Sequence, residues 1–379
     1  TIKNGGLFFL AISSIFLSSF RNHKEKKIDF CKGLTVIWGE NGSGKTSVLE
    51  AIHTLSMGKS FRTHRQKTLI KNGEKGYLIK GCFSNKQEEN IIATQLLKKG
   101  IQKTKINGKK IFTRKDLIGK NNVVLLSPEE QNITKGGPSE RRRFFDRLFS
   151  VVSLYYIDVL QKYNRALKQR NAALSAFQNN SRPQETFMEW DEKLSEYGVR
   201  LWKTRRSFIK EFQSHLKEVI KKYSGEIKLD LEYEETNHLK KDYIKKLFDN
   251  KNKDMKNKAT SFGPHRDNIS IRYNDNKLRL FGSQGEHKIA LVLLKVAEVL
   301  FIKKETGLYP MLLLDDVFAK LDITRSKKLV RLIKDLEVQS RDQLQTIVTT
   351  TDIVDVKESG LFDFEKETVT HHLEKTCST

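Results

Sequence analysis

The stretch Gly39-Glu40-Asn41-Gly42-Ser43-Gly44-Lys45-Thr46 fits the pattern G-x-x-x-x-G-K-[ST], the phosphate-binding loop of nucleotide-binding proteins. The apolar run Leu34–Trp38 precedes it and the helix-like run Ser47–Ile52 follows, which a chance glycine-rich turn would lack. The glycines let the backbone wrap an anion, and the amides of the loop and first helical turn then point at the phosphates. We therefore predict that the whole loop contacts a nucleotide, that Lys45 reaches the β and γ phosphates, and that the Thr46 hydroxyl holds Mg²⁺.

A second stretch supplies the carboxylates that such a loop requires. Met311-Leu312-Leu313-Leu314 has the pattern of a buried strand, and Asp315-Asp316 follows at its carboxyl end, where open α/β sheets bind their ligands. We predict that Asp315 holds Mg²⁺, directly or through water, and that Asp316 polarises the attacking water as general base. The alternative is a strand that ends in a solvated acidic turn, which the upstream phosphate loop disfavours.

A third element lies between these two in the chain. In Phe281-Gly282-Ser283-Gln284-Gly285-Glu286, Ser283 and Glu286 have the spacing of a capping box that opens a helix over Ile289–Phe301. By itself this predicts an ordinary capped helix. Its place just before the acidic strand resembles the signature motif of the ABC ATPase class, in which the signature of one subunit closes on the γ-phosphate bound by the other. Asp322 stands where that class has its D-loop, so the resemblance implies an ATP-dependent homodimer with Ser283 and Asp322 at its interface.

Charge and cysteine content narrow the partners and the compartment. The 379 residues carry 70 Lys and Arg against 46 Asp and Glu, a formal net charge of +24. This excess predicts a polyanionic partner, nucleic acid before membrane, while general basicity without a specific partner is the alternative. Cys31, Cys82 and Cys377 fit neither a metal-ligand spacing nor an even disulfide set, so a reduced, cytosolic compartment is predicted. The sequence contains no apolar run of the length that spans a membrane.

The N-terminal apolar stretch imitates a secretory signal. It runs from Leu7 to Leu17 behind Lys3, but a small-x-small cleavage site is missing. We interpret Ile15–Leu17 as an edge strand, and we interpret residues before about Ala11 as a start-site artefact or a loose extension.

Hydrophobic periodicity divides the chain into three parts. Residues 1–135 are β-rich, residues 136–258 are dominated by helical spacing, and residues 259–379 return to an α/β pattern. Because the phosphate loop and the acidic pair lie in the outer parts, the middle part is predicted to be an insertion. The fold class is therefore α/β: an ABC-type P-loop ATPase head split by an inserted, mainly helical arm.

Individual elements follow from the same patterns. Strands are predicted at Leu34–Trp38, Tyr77–Phe83, Ile91–Leu97, Val123–Leu126, Ile227–Tyr233, Ile269–Tyr273, Lys277–Phe281, Met311–Leu314 and Thr346–Thr349. The Asn107-Gly108 pair predicts a small hairpin turn. Helical spacing from Gly136 to about Ile220 is interrupted at Gln178–Gln184, and the lysine-dense stretch Lys240–Lys258 is predicted to be a mobile, solvated connector.

Several segments together resemble the RecF family of bacterial recombination-mediator ATPases. They appear in family order across nearly the whole chain: Ser19–Asn22, Gly39–Thr46, Gly58–Thr63, Ser127–Glu129, Pro138–Asp146, Gln169–Asn171, Gly263–Asp267, Ser283–Gly285 and Leu313–Asp322. The phosphate loop alone indicates only a superfamily, whereas Pro138–Asp146, Gly263–Asp267 and the Asp-Asp ending are much more specific.

The resemblance implies an ATP-dependent protein that dimerises with ATP, binds DNA near single-strand gaps, acts with RecO and RecR, and helps to load the recombinase. It also implies that Arg21 and Asn22 contact the nucleotide. The chain departs from the family pattern at Glu286-His287-Lys288, where the family more often has Gln and Arg, and at Lys320, where the family usually has an acid. Thr349–Thr351 replaces the histidine that transporter-type ATPases carry after the last strand, so a hydroxyl is expected there.

DNA contacts are assigned to two arginine clusters. Arg62 and Arg65 follow the phosphate-loop helix, and Arg141, Arg142 and Arg143 begin the inserted helices. Either cluster could line a groove and hold DNA phosphates. The alternative for Arg141–Arg143 is an internal network with Glu140 and Asp146.

Three other functions are the alternatives to this interpretation. A transporter-energising ATPase subunit predicts a smaller helical insert, a histidine after the last strand and little net charge, and the chain has none of these. A DNA-binding scaffold with a degenerate site is disfavoured by the intact Lys45, Thr46, Asp315 and Asp316. Another SMC-like or ABC-class ATPase without a RecF-type role is the remaining alternative.

Overall fold

The computed structural model describes residues 10–85, 88–97, 100–177, 185–233, 239–338, 344–363 and 367–375. The chain divides into two compact units. The first unit contains the residues up to 131, residues 218–225 and the residues from 288 onward, and the second contains residues 132–217 and 226–287. The expectations for residues 1–9 and for the interruption at Gln178–Gln184 lie outside the described residues.

The described strands are β1 (Ala11–Phe20), β2 (His23–Asp29), β3 (Leu34–Trp38), β4 (Gly76–Asn85), β5 (Glu88–Leu97), β6 (Gln102–Ile106), β7 (Lys109–Ile111), β8 (Val123–Leu126), β9 (Leu229–Tyr233), β10 (Ile269–Tyr273), β11 (Asn276–Lys277), β12 (Met311–Asp315), β13 (Thr346–Thr350) and β14 (Thr368–His372). The described α-helices are α1 (Lys45–Met57), α2 (Asn132–Lys135), α3 (Pro138–Val152), α4 (Leu154–Phe177), α5 (Glu185–Tyr223), α6 (Lys240–Asp249), α7 (Lys251–Asn257), α8 (Leu278–Phe281), α9 (Gln284–Thr306), α10 (Ile323–Val338) and α11 (Ile353–Glu358).

A parallel sheet in the first unit has the strand order β14-β3-β13-β12-β8. Its central strands β3, β13 and β12 are buried along nearly their whole length, as expected for a sheet covered on both faces. Cross-strand pairs join Trp38 to Thr350 and Asp315 to Thr349. The carboxyl ends of β3, β12 and β13 therefore meet at one edge, where the phosphate loop and the acidic pair leave the sheet.

Helix α1 lies at the centre of the first unit. It contacts strands of the parallel sheet and of a second, antiparallel sheet, and all of its residues except Thr46 are buried. Its sequence is therefore constrained on every side, which is typical of a fully buried helix rather than a surface helix with one apolar face.

The antiparallel sheet of the first unit has the order β2-β1-β4-β5-β6-β7. The predicted hairpin is confirmed: Asn107 and Gly108 join β6 to β7 with φ values of 49° and 79°. The interpretation of Ile15–Leu17 as an edge strand is wrong, because β1 pairs with β2 on one side and β4 on the other. The sequence pattern of β1 shows one buried face but cannot show how many neighbours the strand has.

The second unit combines helices with a three-stranded antiparallel sheet of order β11-β10-β9. Residues 259–287 belong to this unit, although the sequence placed them with the C-terminal part of the head. The physical reason is local pairing: β10 pairs with β9 residue by residue from Ile269↔Tyr233 to Tyr273↔Leu229.

Two sequence predictions in the second unit are wrong. The expected connector over Lys240–Lys258 forms helix α6, in which Tyr243 and Leu247, spaced four apart, are fully buried, and helix α7, in which Asp254 is buried. The expected strand over Lys277–Phe281 is the two-residue β11 followed by the short helix α8. Only Leu278 of α8 is buried, so the alternation seen in the sequence does not correspond to a sheet face.

No helix within the described ranges has the length and apolar character needed to cross a membrane.

Candidate functional site

The phosphate loop joins β3 to α1. At two of its glycines, neighbouring atoms leave no room for a side chain. A side-chain carbon at Gly39, whose φ is 147°, would lie 2.2 Å from the Leu373 carbonyl oxygen. At Gly44, whose φ is 99°, it would lie 2.4 Å from Nε2 of His23. Gly39 and Gly44 thus serve the packing of the loop as well as its approach to a phosphate.

Lys45 is buried at the base of the loop. Its Nζ donates hydrogen bonds to the carbonyl oxygens of Gly39 at 2.7 Å and Glu40 at 2.8 Å. Burial lowers the pKa of Lys45, and the nearby charges of Asp316 and Asp315 oppose that shift. The ammonium is therefore held inside the loop, in the position from which it can reach bound phosphates.

The structure brings Thr46 and Asp315 together across 269 positions of sequence. The Thr46 hydroxyl donates to Oδ1 of Asp315 at 2.9 Å, and the Thr349 hydroxyl donates to the same oxygen at 2.7 Å. Asp315 is 3% exposed, and burial raises the pKa of its carboxyl while these two hydrogen bonds lower it. The hydroxyl expected after the last strand is thus present as Thr349, where it supports the acid.

Asp316 has an unusual backbone and an unsatisfied oxygen. Its φ is 52°, in the left-handed region, and its amide donates to the Thr349 carbonyl at 3.0 Å. Among the described residues its buried Oδ1 has no hydrogen-bond partner, while Oδ2 lies 3.7 Å from Nζ of Lys320. A strained residue with an unpartnered carboxylate oxygen fits a catalytic role better than a structural one.

The oxygen donors at this edge fit Mg²⁺. The described part of the chain holds no cluster of three or more His, Cys, Asp or Glu side chains that could bind a metal. Mg²⁺ is typically bound through one or two carboxylates together with substrate phosphates and water, rather than by a complete protein cage. Thr46, Asp315 and Asp316 supply that partial set.

A cavity of about 1090 Å³ opens beside the loop in the first unit. It is lined by Arg21, Asn22, Lys24, Asn41, Gly42, Gly44, Lys45, Thr46, Ser47, Arg62, Thr68, Ile70, Lys71, Asn72, Asp316 and Thr349. Ser43 stands between two of these lining residues, Gly42 and Gly44, and its buried hydroxyl has no hydrogen-bond partner among the described residues. The lining is rich in cations and amides, so the cavity suits an anionic ligand.

Arg21 and Asn22, which the resemblance assigned to the nucleotide, both line this cavity. Nε and Nη2 of Arg21 donate to the fully buried carboxylate of Glu50 at 2.8 and 2.7 Å. Nδ2 of Asn22 donates to the Gly42 carbonyl at 2.9 Å. The sequence did not single out Glu50, which fixes Arg21 from within α1 and carried no motif that could have revealed it.

The two arginines assigned to DNA after α1 lie in different surroundings. Arg62 lines the cavity, and its Nε lies 3.6 Å from Oε1 of Glu129, with both side chains about two-fifths exposed. The charge of Glu129 in turn contributes to raising the pKa of Asp315. Arg62 therefore belongs to the surroundings of the nucleotide site, whereas Arg65 is exposed and its DNA contact stays a prediction.

The predicted capping box is confirmed in the second unit. The Glu286 amide donates to Oγ of Ser283 at 3.2 Å, and the Ser283 amide donates to Oε2 of Glu286 at 2.7 Å. In the first unit, Oδ1 of Asp322 accepts from the Arg325 amide at 2.9 Å, and this bond lowers the pKa of Asp322. Both residues cap helices, and their roles at a dimer interface stay predictions.

The arginines that begin α3 are largely part of an internal network. Arg141 is 4% exposed and donates to the carbonyl oxygens of Gly136 and Ile269 and to Oδ1 of Asn268. These bonds favour the alternative of an internal network for Arg141, and the DNA contacts predicted for this cluster stay predictions. Arg142 donates to the Asp267 carbonyl, and Arg143 is more exposed and pairs with Glu140 at 3.1 Å.

The motif Gly263–Asp267 forms the centre of the second unit. The Asp267 carboxylate accepts from Trp202 at 3.0 Å, from Tyr233 at 2.6 Å and from Arg205 at 2.7 Å. A side-chain carbon at Gly263 would lie 2.1 Å from the Tyr243 hydroxyl, which explains the glycine. This motif, whose role the sequence left open, holds the helices and the small sheet of the second unit together.

His265 of the same motif has a defined tautomer. Its Nε2 lies 2.9 Å from the Thr260 carbonyl, which can only accept, so Nε2 carries the proton. Nδ1, 2.6 Å from the Tyr163 hydroxyl, then accepts from it. Burial, together with the charges of Arg266 and Arg142, lowers the pKa of His265 to about 4, although the bond to Thr260 opposes the shift.

We expect this histidine to make the protein less stable in mild acid. The unfolded histidine binds a proton below pH about 6.5 and the folded one only below about 4, so stability falls as the pH falls between these values, by up to about 3 kcal/mol. Urea unfolding at pH 4.5 to 7.5 measures the change. His265→Gln keeps one donor and one acceptor and should flatten this part of the profile, and identical profiles for both proteins would contradict the assignment.

Comparisons with known proteins agree with this geometry. The family model described as RecF/RecN/SMC N terminal domain matches residues 11–366. A protein named DNA replication and repair protein RecF from Clostridium novyi (strain NT) is 35% identical over 352 residues, which cover 92% of this chain and 94% of the relative. A protein of the same name from Caldanaerobacter subterraneus subsp. tengcongensis is 34% identical over 334 residues, 85% of this chain and 91% of the relative.

Solved structures of a RecF protein and of an Smc head domain are also similar to this chain. One, described as the recombination mediator protein RecF-ATP in the RecFOR pathway, has a TM-score of 0.84 and 32% identity over 93% of this chain and 94% of its own. The Smc head domain of Pyrococcus furiosus has a TM-score of 0.55 at 20% identity, over 92% of both chains. The second likeness concerns the fold alone.

Proposed function

This chain belongs to the RecF family, and we propose that it is an ATP-dependent DNA-binding protein of recombinational repair and replication-fork maintenance. The predicted fold class, an α/β fold of the ABC-type ATPase head, is confirmed by the family match and by the RecF and Smc-head neighbours. In this proposal an ATP-driven homodimer binds DNA near single-strand gaps in the cytoplasm. It assists recombinase loading with RecO and RecR, and ATP hydrolysis releases the dimer.

The observation that carries the nucleotide part of the proposal is the hydrogen bond between Thr46 and Asp315. It places side-chain oxygens of the last residue of the phosphate loop and of the acid that ends β12 2.9 Å apart at one edge of the parallel sheet. The RecF-ATP structure, which covers nearly the whole chain, supports ATP as the nucleotide. Mg²⁺ at this edge would neutralise charge on the β and γ phosphates.

Each residue of the site then has a task. Lys45 exchanges its carbonyl partners for phosphate oxygens, and the loop amides from Gly42 to Thr46 hold the phosphates at the N-terminus of α1. Thr46 and Asp315 hold the metal ion, with Thr349 fixing the Asp315 carboxylate. The free oxygen of Asp316 takes a proton from the attacking water as general base.

The dimer part of the proposal explains why slow hydrolysis is expected. Ser283 and Asp322 each sit at a helix N-terminus, where amides can meet an anion carried by another molecule. If Ser283 of one protomer completes the site of its partner, hydrolysis requires assembly first. Turnover would then be limited by the concentration of dimer at low protein concentration.

We expect Asp316→Asn to bind ATP and to accumulate as a dimer. Asparagine tolerates the left-handed backbone of position 316 and keeps the side-chain shape, but it cannot accept the proton of the attacking water. Light scattering after size exclusion, with and without ATP, measures the dimer fraction. The control is Asp355→Asn, which changes an acid that does not line the cavity. Absence of an ATP-dependent dimer in both wild type and Asp316→Asn would refute the proposed ATP-driven homodimer.

A further inference from the structure

We propose that the solvent-facing side of the antiparallel sheet of the first unit holds the sugar–phosphate backbone of double-stranded DNA. The contact is made by Lys80, Lys103, Lys105 and Lys110, here called the lysine stripe. The inference rests on the proposed DNA-binding function and gives the place on this chain where the duplex lies.

The register of the strands puts these lysines on one face. The cross-strand partners are Lys80 with Ala93, Ala93 with Lys105, and Lys105 with Lys110. Residues directly opposite each other in a sheet point to the same side, so the three lysines of this row share one face. Lys103 stands two residues before Lys105 on β6 and therefore points the same way.

This face is the exposed one. The alternate residues Ile79, Ile92 and Thr94 are buried on the opposite side of the same strands. All four lysines of the stripe are exposed, and Ala93 between them is too small to stand in the way of a ligand that lies flat on the sheet. The stripe is thus an exposed basic surface and not a pocket, which suits contacts to a backbone more than the reading of bases.

The ammonium groups of the stripe are available. Within the part of the chain that the structure describes, Lys80, Lys103 and Lys105 form no hydrogen bond or ion pair. Lys110 lies over the ring of Phe112, with Nζ 4.9 Å from its centroid, and that ring is 82% exposed. Beyond β4 the row continues through Phe16 on β1 to Lys27 on β2, and Nζ of Lys27 lies 3.2 Å from Oδ1 of Asp29.

The dimensions suit a duplex. Three strand-to-strand steps of about 4.8 Å separate Lys80 from Lys110, roughly 14 Å in all, and Lys103 and Lys105 are about 7 Å apart along β6. Duplex DNA presents one phosphate charge for about every 1.7 Å of its axis. Four lysines on a rigid sheet can therefore each meet a phosphate without any bending of the DNA.

The test replaces all four lysines of the stripe by glutamine. Each phosphate contact contributes about 0.9 to the slope of log K against log salt concentration. The slope for a duplex of defined length should therefore fall by about 3 to 4, and binding at 0.15 M salt should weaken by about 10²- to 10³-fold. Fluorescence anisotropy over about 0.05–0.3 M salt measures both the slope and the affinity, following the counterion-release relation. Binding of a fluorescent ATP analogue checks that the nucleotide site is intact.

A matched control removes the same charge elsewhere. Lys256, Lys304, Lys327 and Lys357 are exposed and scattered over other elements, so their replacement by glutamine lowers the net charge equally. This variant should keep the wild-type slope to within about 1 and lose only a few-fold in affinity. Equal losses in both quadruple variants would overturn the proposal, since they would show that only net charge matters.

Other outcomes are also decisive. Wild-type affinity and slope in the stripe variant would place the DNA on another surface. Loss of binding to phosphatidylserine vesicles with unchanged DNA binding would assign the stripe to a membrane instead. A wild-type protein that binds no duplex at any salt concentration would overturn the proposed function together with this surface, whereas DNA binding that ignores the stripe would overturn this surface alone.

Discussion

Lys45→Met is expected to abolish ATP binding at concentrations that saturate the wild type. Methionine keeps the buried aliphatic stem of Lys45 but removes the ammonium that reaches toward the β and γ phosphates. Hydrogen bonds to charged groups contribute about 1.5–3 kcal/mol each, so the loss of two weakens binding by about 100-fold or more. Titration with a fluorescent ATP analogue measures the dissociation constant.

The control for this experiment is Lys67→Met. Lys67 is exposed and does not line the cavity, so its replacement removes one positive charge from the same unit without touching the loop. It should bind ATP with nearly wild-type affinity. Equal loss of binding in the two variants would mean that general charge, and not the position of Lys45, determines nucleotide affinity.

Arg205→Met is expected to destabilise the second unit strongly. The Arg205 guanidinium is 1% exposed and lies between Asp146, at 2.9 Å, and Asp267, at 2.7 Å. It also donates to the Pro264 carbonyl at 2.9 Å. Removing one partner of a buried ion pair leaves uncompensated charges and typically costs about 3–5 kcal/mol.

Urea unfolding followed by tryptophan fluorescence measures this effect, because the Trp202 indole donates to Asp267 and reports on the network. Arg200→Met, on the same helix α5, is the matched control. Arg200 is half exposed and pairs with the partly exposed Glu196 at 2.8 Å, so its loss should cost at most about 1 kcal/mol. Similar unfolding midpoints for the two variants would contradict the central role of Arg205.

Local patterns predicted the nucleotide end of the molecule well. The spacing of Gly39–Thr46, the apolar strand before Asp315 and the capping box of Ser283 each concern residues that are close in sequence, and their geometry follows from steric and hydrogen-bonding rules within a few residues. Four of the five strands of the parallel sheet, β3, β8, β12 and β13, were predicted from local patterns of the same kind. Strand β14 was not predicted, because its residues, two threonines and two histidines around one valine, form no apolar run.

Charged residues were predicted less well. Arg141 and Arg62 have the same side chain in similar basic stretches, yet one is buried in a network and the other lines the cavity. The stretch Lys240–Lys258 was expected to be solvated because of its lysines, and two buried side chains four residues apart were enough to make it helical. A single sequence does not show which cation will find buried partners, since those partners lie far away along the chain.

The sequence by itself determined that this chain has the strand–loop–helix motif of a phosphate-binding loop and an acidic pair at the end of a later strand, because each half is specified by neighbours in sequence. Only the tertiary structure decided that Thr46 is hydrogen-bonded to Asp315 and that Glu50 fixes Arg21. It also decided that the Asp267 carboxylate accepts hydrogen bonds from side chains of several elements of the second unit. Those pairings are set by strand order and register, which bring together residues separated by tens to hundreds of positions and depend on the packing of the whole unit.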